Sequence, residues 1–435
     1  MSYFRKYTST KCEKINIWSA FKPLYFVLTL FGLLPYSIKF PNGSGGAIII
    51  HKSIYLNSLC SVSMILILYS FFVLHTQQLF ASTESNTMTE VLTTKFNYML
   101  EMLTFLLFAT ISYFCAYKNR FNYVKILNTI VSSSNKFVDH KVIRRLQVQV
   151  KIVILCLCLL LLIQITINFT RLDTVRKMML VTSSFILPQM IQFTVISFYY
   201  VLVLMVVGVL KNINEQMKSL CNYSRINAEF IKVEKRITLN QIEVVYVNML
   251  ETKREINRAF QASILATAVQ CFHAIVSESH ILYHGLVVEQ TSTLTTHDVC
   301  NCSIWIVYQL IKVYTISRIG SMLKEQAAII GRSLHNILPG KDDARLYLEV
   351  QHFSSMILYQ NAEMTVYDFF PLDSTFTFNV SCRYDIGGKR AEELSDGKQL
   401  PSLMGTCSRC CKCIVVSAAV MYIVMLVQFD TNKKS

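Results

Sequence analysis

Charge is what this chain has little of. Asp, Glu, Lys and Arg together make up 16% of its 435 residues, against about 25% in a soluble protein. Apolar residues take their place at 53%, and they are gathered in runs. A bilayer core of roughly 30 Å is crossed by about 20 apolar residues in a helix, so seven crossings would use about 150 residues, a third of the chain. That composition excludes an ordinary cytosolic enzyme, a nucleic-acid-binding domain and a disulfide-stapled secreted module. No catalytic constellation stands out from the background, so no enzyme is expected. Acidic residues are the scarcer charge: 27 against 42 Lys plus Arg, for a net charge of +15. In a membrane protein a basic surplus collects on cytoplasmic loops. The 14 Cys are scattered, several inside apolar runs (Cys60, Cys115, Cys156, Cys158, Cys271). They read as small buried hydrophobes, not as a disulfide framework.

A cleavable leader is also missing. The apolar stretch Leu24–Leu34 ends at Pro35-Tyr36 where a small-residue cleavage site should stand. At 11 residues it is short for a span, and it is expected as a re-entrant or interfacial helix within a cytoplasmic N-terminal segment, 1–53. Seven stronger runs follow, at 54–75, 99–117, 152–169, 184–210, 261–288 and 302–320, with the last ending at Phe429. The segments between them alternate in basic content. Residues 118–151 hold eight Lys or Arg and 211–260 hold nine, whereas 76–98 has only Lys95 and 289–301 has none. The positive-inside rule places 118–151 and 211–260 in the cytoplasm. The expected fold is therefore an all-α integral membrane protein with seven transmembrane helices, N-terminus inside and C-terminus outside. In chain order this gives spans one to four over 54–210, cytoplasmic helical extensions over 211–260, spans five and six over 261–320, cytoplasmic anchor helices over 321–373 and a last helix within 374–435.

A G-protein-coupled receptor has the opposite orientation. The chain also lacks an Asn-Pro-x-x-Tyr run in its last span and an Asp/Glu-Arg-Tyr run after its third. A secondary transporter would show repeated halves with broken helices at matching positions, and none is visible. These remain the rival readings; a C-terminal tag labelled on intact cells separates the receptor rival, because only the N-in, C-out topology exposes it. Asn301-Cys302-Ser303 is a glycosylation sequon in a loop assigned outside.

The cytoplasmic segments carry helical seams. In 226–247 the positions Ile226, Phe230, Val233, Ile237, Asn240, Val244 and Val247 step by four and three, as in a coiled coil. A second seam runs Leu346, Val350, Phe353, Ile357 after the Leu338-Pro339-Gly340 break. Together they predict a cytoplasmic bundle suited to subunit assembly.

The end of the chain carries the most specific motif. Residues 421–429 read Met-Tyr-Ile-Val-Met-Leu-Val-Gln-Phe, and 367–378 contain Phe-Pro-Leu-Asp. The first resembles the Thr-Tyr-(five apolar)-Gln-Phe signature that closes the last span of insect gustatory receptors, with Met421 in place of Thr. Phe-Pro-Leu-Asp and the early Pro-Leu-Tyr…Gly-Leu-Leu-Pro-Tyr-Ser stretch (23–37) resemble that family too. The resemblance implies a ligand-gated, non-selective cation channel in the plasma membrane of a chemosensory neuron's dendrite. It also implies a homo- or hetero-tetramer with related receptors, a small-molecule tastant such as a sugar or a bitter compound, and a pore lined by the last span. Phe429 would then form a hydrophobic constriction, Gln428 would line its mouth and Tyr422 would pack two turns deeper. Without the resemblance, Gln428 and Phe429 read as interfacial residues at a helix end, and Asp373 as an N-cap.

One segment breaks the pattern. Residues 380–413 hold ten charged residues with no period of 2 or 3.6. They leave only Ile414–Phe429, about 24 Å of helix, against a core of roughly 30 Å. Joined directly to Ser374–Asn379 the helix would reach about 33 Å. The insert is expected to be translated non-coding sequence. Its Cys407, Cys410, Cys411 and Cys413 nominally supply four ligands, but nothing around them reads as a zinc module, and no metal or other cofactor is expected.

Polar residues inside spans are functional candidates by default. Those in the outward halves are Glu101, Gln164, Gln189, Gln192, Glu278, His280, Tyr283, Trp305, Tyr308 and Gln309. Taken singly, each reads as an interhelical hydrogen bond or an interfacial residue. As a set, amides, carboxylates and aromatics suit a sugar or a planar bitter compound.

Overall fold

The computed structural model describes residues 17–34, 37–39, 49–51, 54–81, 92–136, 140–171, 175–226, 239–283, 296–337, 344–360, 362–367 and 370–373. They are almost entirely helical: α1 (Ile17–Leu30), α2 (Ile54–Ala81), α3 (Leu92–Lys118), α4 (Arg120–Lys136), α5 (His140–Arg171), α6 (Val175–Val181), a π-helical turn (Thr182–Ile186), α7 (Leu187–Ile226), α8 (Leu239–Tyr283), α9 (Thr296–His335) and α10 (Ala344–Tyr359). Two small antiparallel hairpins join them, β1 (Ser37–Lys39) with β2 (Ile49–His51) and β3 (Thr365–Val366) with β4 (Phe370–Pro371).

Among the described residues, six helices are long and apolar enough to cross a membrane: Ser58–Phe80, Lys95–Lys118, Arg144–Ile167, Val175–Leu220, Leu239–Leu282 and Val299–His335. They coincide with six of the seven expected runs. The seventh lies outside the described residues, together with the 380–413 insert and with Tyr422, Gln428 and Phe429. α7, α8 and α9 are 40, 45 and 40 residues long, about 60–68 Å. That is twice a bilayer core of roughly 30 Å, so these helices project well beyond it.

The most apolar stretch of α7 is 89% buried, against 6% for that of α2 and 12% for that of α5. A helix apolar on all sides belongs in the middle, and α7 takes that place. α2 and α5 form the periphery, with Leu59, Leu66, Leu155 and Leu162 turned outward. This changes the reading of the cysteines. Cys115 and Cys271 are buried, but Cys60, Cys156 and Cys158 are exposed on the two outer helices. An apolar run that faces lipid carries its cysteines on the surface as readily as inside.

Phe21, Leu24 and Leu28 place α1 against α5 and α7, fully buried. Around Phe198 of α7 the rings of Phe21 (6.0 Å), Tyr123 (5.1 Å) and Phe260 (5.3 Å) join α1, α4 and α8. The chain leaves α1 through Gly32 at φ +66°, where a Cβ would come within 3.0 Å of the Ser61 backbone. Ser61 Oγ donates to Gly32 O, and Tyr113 Oη donates to Phe31 O at 2.7 Å. Farther along, Lys125 Nζ meets Glu255 Oε1 at 2.5 Å and ties α4 to α8. The hydrogen bond to Glu255 holds the Lys125 ammonium above its ordinary pKa, so the stabilisation due to Lys125 is present at neutral pH and is lost as pH rises through that raised value.

On α10, Phe353 is fully buried, while Leu346, Val350 and Ile357 pack against the same core. The α8 seam is placed differently. Ile242, Val245, Tyr246 and Met249 are buried, whereas Asn240 and Val244 are exposed. Tyr246 packs on Phe353 at 5.4 Å, and that contact with α10 selects the buried face. Residues 227–238 lie outside the described residues.

After α10 the chain returns to α9 as a strap, described at residues 362–367 and 370–373. Leu372 N donates to Met364 O at 2.7 Å and closes the β3–β4 hairpin. Ser317 Oγ donates to Asp373 O at 2.6 Å. Lys324 Nζ pairs with Glu363 Oε1 at 2.6 Å and Asp373 Oδ2 at 3.6 Å. Between these contacts a Cβ on Gly320 would lie 1.8 Å from Leu372 O. Glycine at 320 is what lets the strap backbone lie on the helix.

Candidate functional site

α9 buries one stripe along its length, including Trp305, Tyr308, Gln309, Lys312 and Ile316. Lys312 is the only charged residue between Asp298 and Arg318, and it is fully buried. A lone charge at the centre of a membrane helix costs roughly 3 kcal/mol, so it needs partners. Lys312 Nζ donates to Gln192 Oε1 at 2.5 Å and to Gln309 Oε1 at 2.8 Å. It lies 5.1 Å from the centroid of the Phe193 ring and 5.7 Å from that of Phe105, within cation–π range. Glu101, one helical turn before Phe105 on α3, lies within electrostatic reach of Lys312 and of Glu278 on α8. Both carboxylates are buried, at 1% and 5% exposure. Four helices, α3, α7, α8 and α9, thus converge on one polar centre inside an apolar bundle.

Several polar atoms in this region have no hydrogen-bond partner. They are Nε2 of Gln192 and of Gln309 and both amide atoms of Gln189. A buried polar atom left unpaired costs about 1–3 kcal/mol, so each of them has an unmet demand.

An aromatic wheel lies beside the polar centre. Phe185 makes edge-on contacts with His75 (5.6 Å), Tyr98 (6.3 Å), Phe105 (6.4 Å) and Trp305 (6.4 Å), from α2, α3 and α9. It belongs to the π-helical turn Thr182–Ile186, in which Leu187 N donates to Thr182 O. Pro188 follows; it has no N–H and cannot make the regular bond to Ser184 O. A widened turn before a proline is how such a helix adjusts. Beyond Lys312, Phe193 meets Tyr308 at 6.0 Å, and Tyr308 Oη donates to Leu160 O at 3.1 Å.

The structure gathers several of the residues expected from sequence. Gln192 and Gln309 bond Lys312 directly, and Glu101 lies within electrostatic reach of Lys312 and of Glu278. Gln189 sits one turn before Gln192, and Trp305 and Tyr308 stand on the same stripe of α9 as Lys312. Gln164 is buried on α5, one turn after Leu160. His280 is buried too, but it lies about 200° round α8 from Glu278. Tyr283 ends α8, and its side chain is outside the described residues. Asn301 lies inside α9 at 6% exposure, where a glycan would have to displace its neighbours. Among the described residues no three His, Cys, Asp or Glu come together as a metal site. Sequence reasoning passed over Lys312, Phe105, Phe185 and Phe193. The signal for Lys312 was available, since a solitary charge in an apolar run is a functional candidate.

Residues 21–382 match the family described as 7tm chemosensory receptor. The chain belongs to that family. Its fold is similar to that of the insect olfactory receptor OR5 from Machilis hrabei, both in a structure in complex with eugenol and in a second structure of that receptor. Each comparison has a TM-score of 0.60 and 13% identity, and covers 86% of this chain and 98% of the other. At that identity the likeness speaks for the fold alone. No curated protein matches the chain in sequence. The protein is accordingly a multi-pass membrane chemosensory receptor, and its polar centre lies deep in the receptor fold. The family match stops at residue 382, at the start of the charged insert.

Proposed function

We propose that this chemosensory receptor is a gustatory receptor, a ligand-gated non-selective cation channel that binds a sugar or a bitter compound among α3, α7, α8 and α9. The observation that carries the reading is the Lys312 centre: a buried ammonium, two buried carboxylates and unpartnered amides inside an otherwise apolar bundle. The placement of basic residues supports an inside N-terminus, with the Lys312 centre reached from outside. The Gln428-Phe429 ending of the last apolar run supports a pore helix with a hydrophobic gate in a tetramer of this chain or of related receptors.

The test is current recording from cells that express the chain, with and without residues 380–413, with sugars and bitter compounds applied outside. A cation current evoked by one of these compounds, independent of G-protein inhibitors, is expected. A response that needs a G protein, or no current from a surface-expressed receptor across both classes, sinks the channel assignment.

A further inference from the structure

We infer that Lys312 sets the ligand class of this centre: it holds the carbonyl ends of Gln192 and Gln309 so that their amide N–H groups face a neutral, polyhydroxylated molecule. The inference rests on the proposal that the ligand binds at the Lys312 centre, and it narrows that proposal to one chemistry.

The orientation of the two amides is forced. An ammonium is a donor only, so the atoms that meet it at 2.5 and 2.8 Å are the amide oxygens. Each Nε2 is then directed away from Lys312. Both residues are fully buried, and neither Nε2 has a partner. Two oriented donor groups therefore await acceptors. One turn before Gln192, Gln189 is 1% exposed and lacks partners for its nitrogen and its oxygen. The unmet groups thus include donors and acceptors. A carbonyl compound answers only the donors, and a hydrocarbon answers neither. A hydroxyl donates one hydrogen bond and accepts others, so a molecule carrying several hydroxyls answers both kinds.

The bonds of Lys312 narrow the charge of the ligand. An anion drawn to the ammonium would compete with the amide oxygens that Lys312 bonds at 2.5 and 2.8 Å, and a cation would meet a like charge. A neutral ligand does neither, and Lys312 acts on it through the two amides it orients. Lys312 is in this sense a positioning residue.

The test uses the purified full-length receptor in detergent and follows thermal unfolding with D-glucose, D-fructose, sucrose, myo-inositol, benzoate or p-cymene. Sugars stabilise any protein non-specifically at high concentration, so the readout is a shift that saturates in the millimolar range. At least one of the four hydroxylated probes is expected to give it, and benzoate and p-cymene are not. Lys312→Met should weaken the apparent affinity at least tenfold, and Lys312→Arg, which can still donate to both amides, should restore part of it. Gln309→Met removes one donor, keeps the Lys312–Gln192 bond and should weaken affinity similarly. It carries the test if Lys312→Met does not fold. No saturating shift from any hydroxylated probe, or shifts unchanged in both variants, overturns the inference. A Lys312-dependent shift without any evoked current upholds the inference and sinks the channel reading. Evoked current that is indifferent to Lys312 and Gln309 does the reverse.

Discussion

Phe185 touches four rings from three helices, and nothing in its sequence neighbourhood announces it. The residue lies on a π-helical turn, and periodicity arguments assume 3.6 residues per turn, so its direction is mispredicted by construction. The Lys312 centre is legible in part. The sequence shows the solitary lysine and the glutamines, and helical spacing shows which of them share a face. It does not show which helix stands opposite, because that is decided by packing between segments 120 residues apart, as in the Gln192–Lys312 pair. Phe185→Ala leaves a hole among four rings, and buried Phe to Ala changes cost about 3–5 kcal/mol. Thermal unfolding of the purified receptor should register that loss, with Phe185→Leu much closer to wild type. Equal stability of Phe185→Ala and wild type would show that the wheel is not a packing centre.

Elements were easier to find than to orient. Long apolar runs gave six helices near their observed positions, since length and composition alone specify a membrane helix. The rotation of α8 was not legible. The three-four stepping through Asn240, Val244 and Val247 is a good seam, yet α8 has a second apolar stripe, Ile242–Val245–Tyr246–Met249, and Phe353 of α10 takes that one. The two stripes make separable predictions. Ile242→Asp should prevent folding of the chain itself, because an unpaired buried charge costs several kcal/mol. Val244→Asp, at a position 46% exposed, should leave the folded protomer intact and reduce the proposed tetramer on native gels. Tetramer unchanged by Val244→Asp removes the α8 outer stripe from the assembly surface. The strap is a second case. Gly320→Ala puts a methyl where Leu372 O now sits. Hydrogen exchange over 362–373 should rise in this variant while the α7 core stays protected. Unaltered exchange would mean that the backbone yields without lifting.

At the scale of the whole receptor, α7 is the axis of the fold, and α2 and α5 are its lipid-facing wall. The order of buried and exposed helices was not in the sequence reading, although the near-continuous apolar content of α7 hints at it. The strap delivers the chain to α9 at Asp373, and the last apolar run begins only at Ile414. Transcripts from sensory tissue are expected to lack the codons for about 380–413, and deletion of that segment from the expressed chain should raise surface expression and current. Full function of the 435-residue form with no gain on deletion would falsify this. In the deleted form, Phe429→Ala should increase current in the absence of ligand, as opening a hydrophobic constriction does. Ordinary closed-state leak at equal surface expression would remove Phe429 from the gate.

The π-helical turn also bears on how such a receptor can diverge. A π turn differs from an α turn by a single residue, since its bond spans five residues instead of four. Loss of the codon for Ile186 would let the segment close as regular α-helix. Everything before the deletion would then rotate by about 100° about the α7 axis, carrying position 185 away from Trp305 and Phe105. No amino acid at the Lys312 centre would change, yet its aromatic neighbour would be withdrawn. For a lineage under pressure to recognise a different molecule, a three-base deletion is a shorter path than the accumulated substitutions that would reshape four helices.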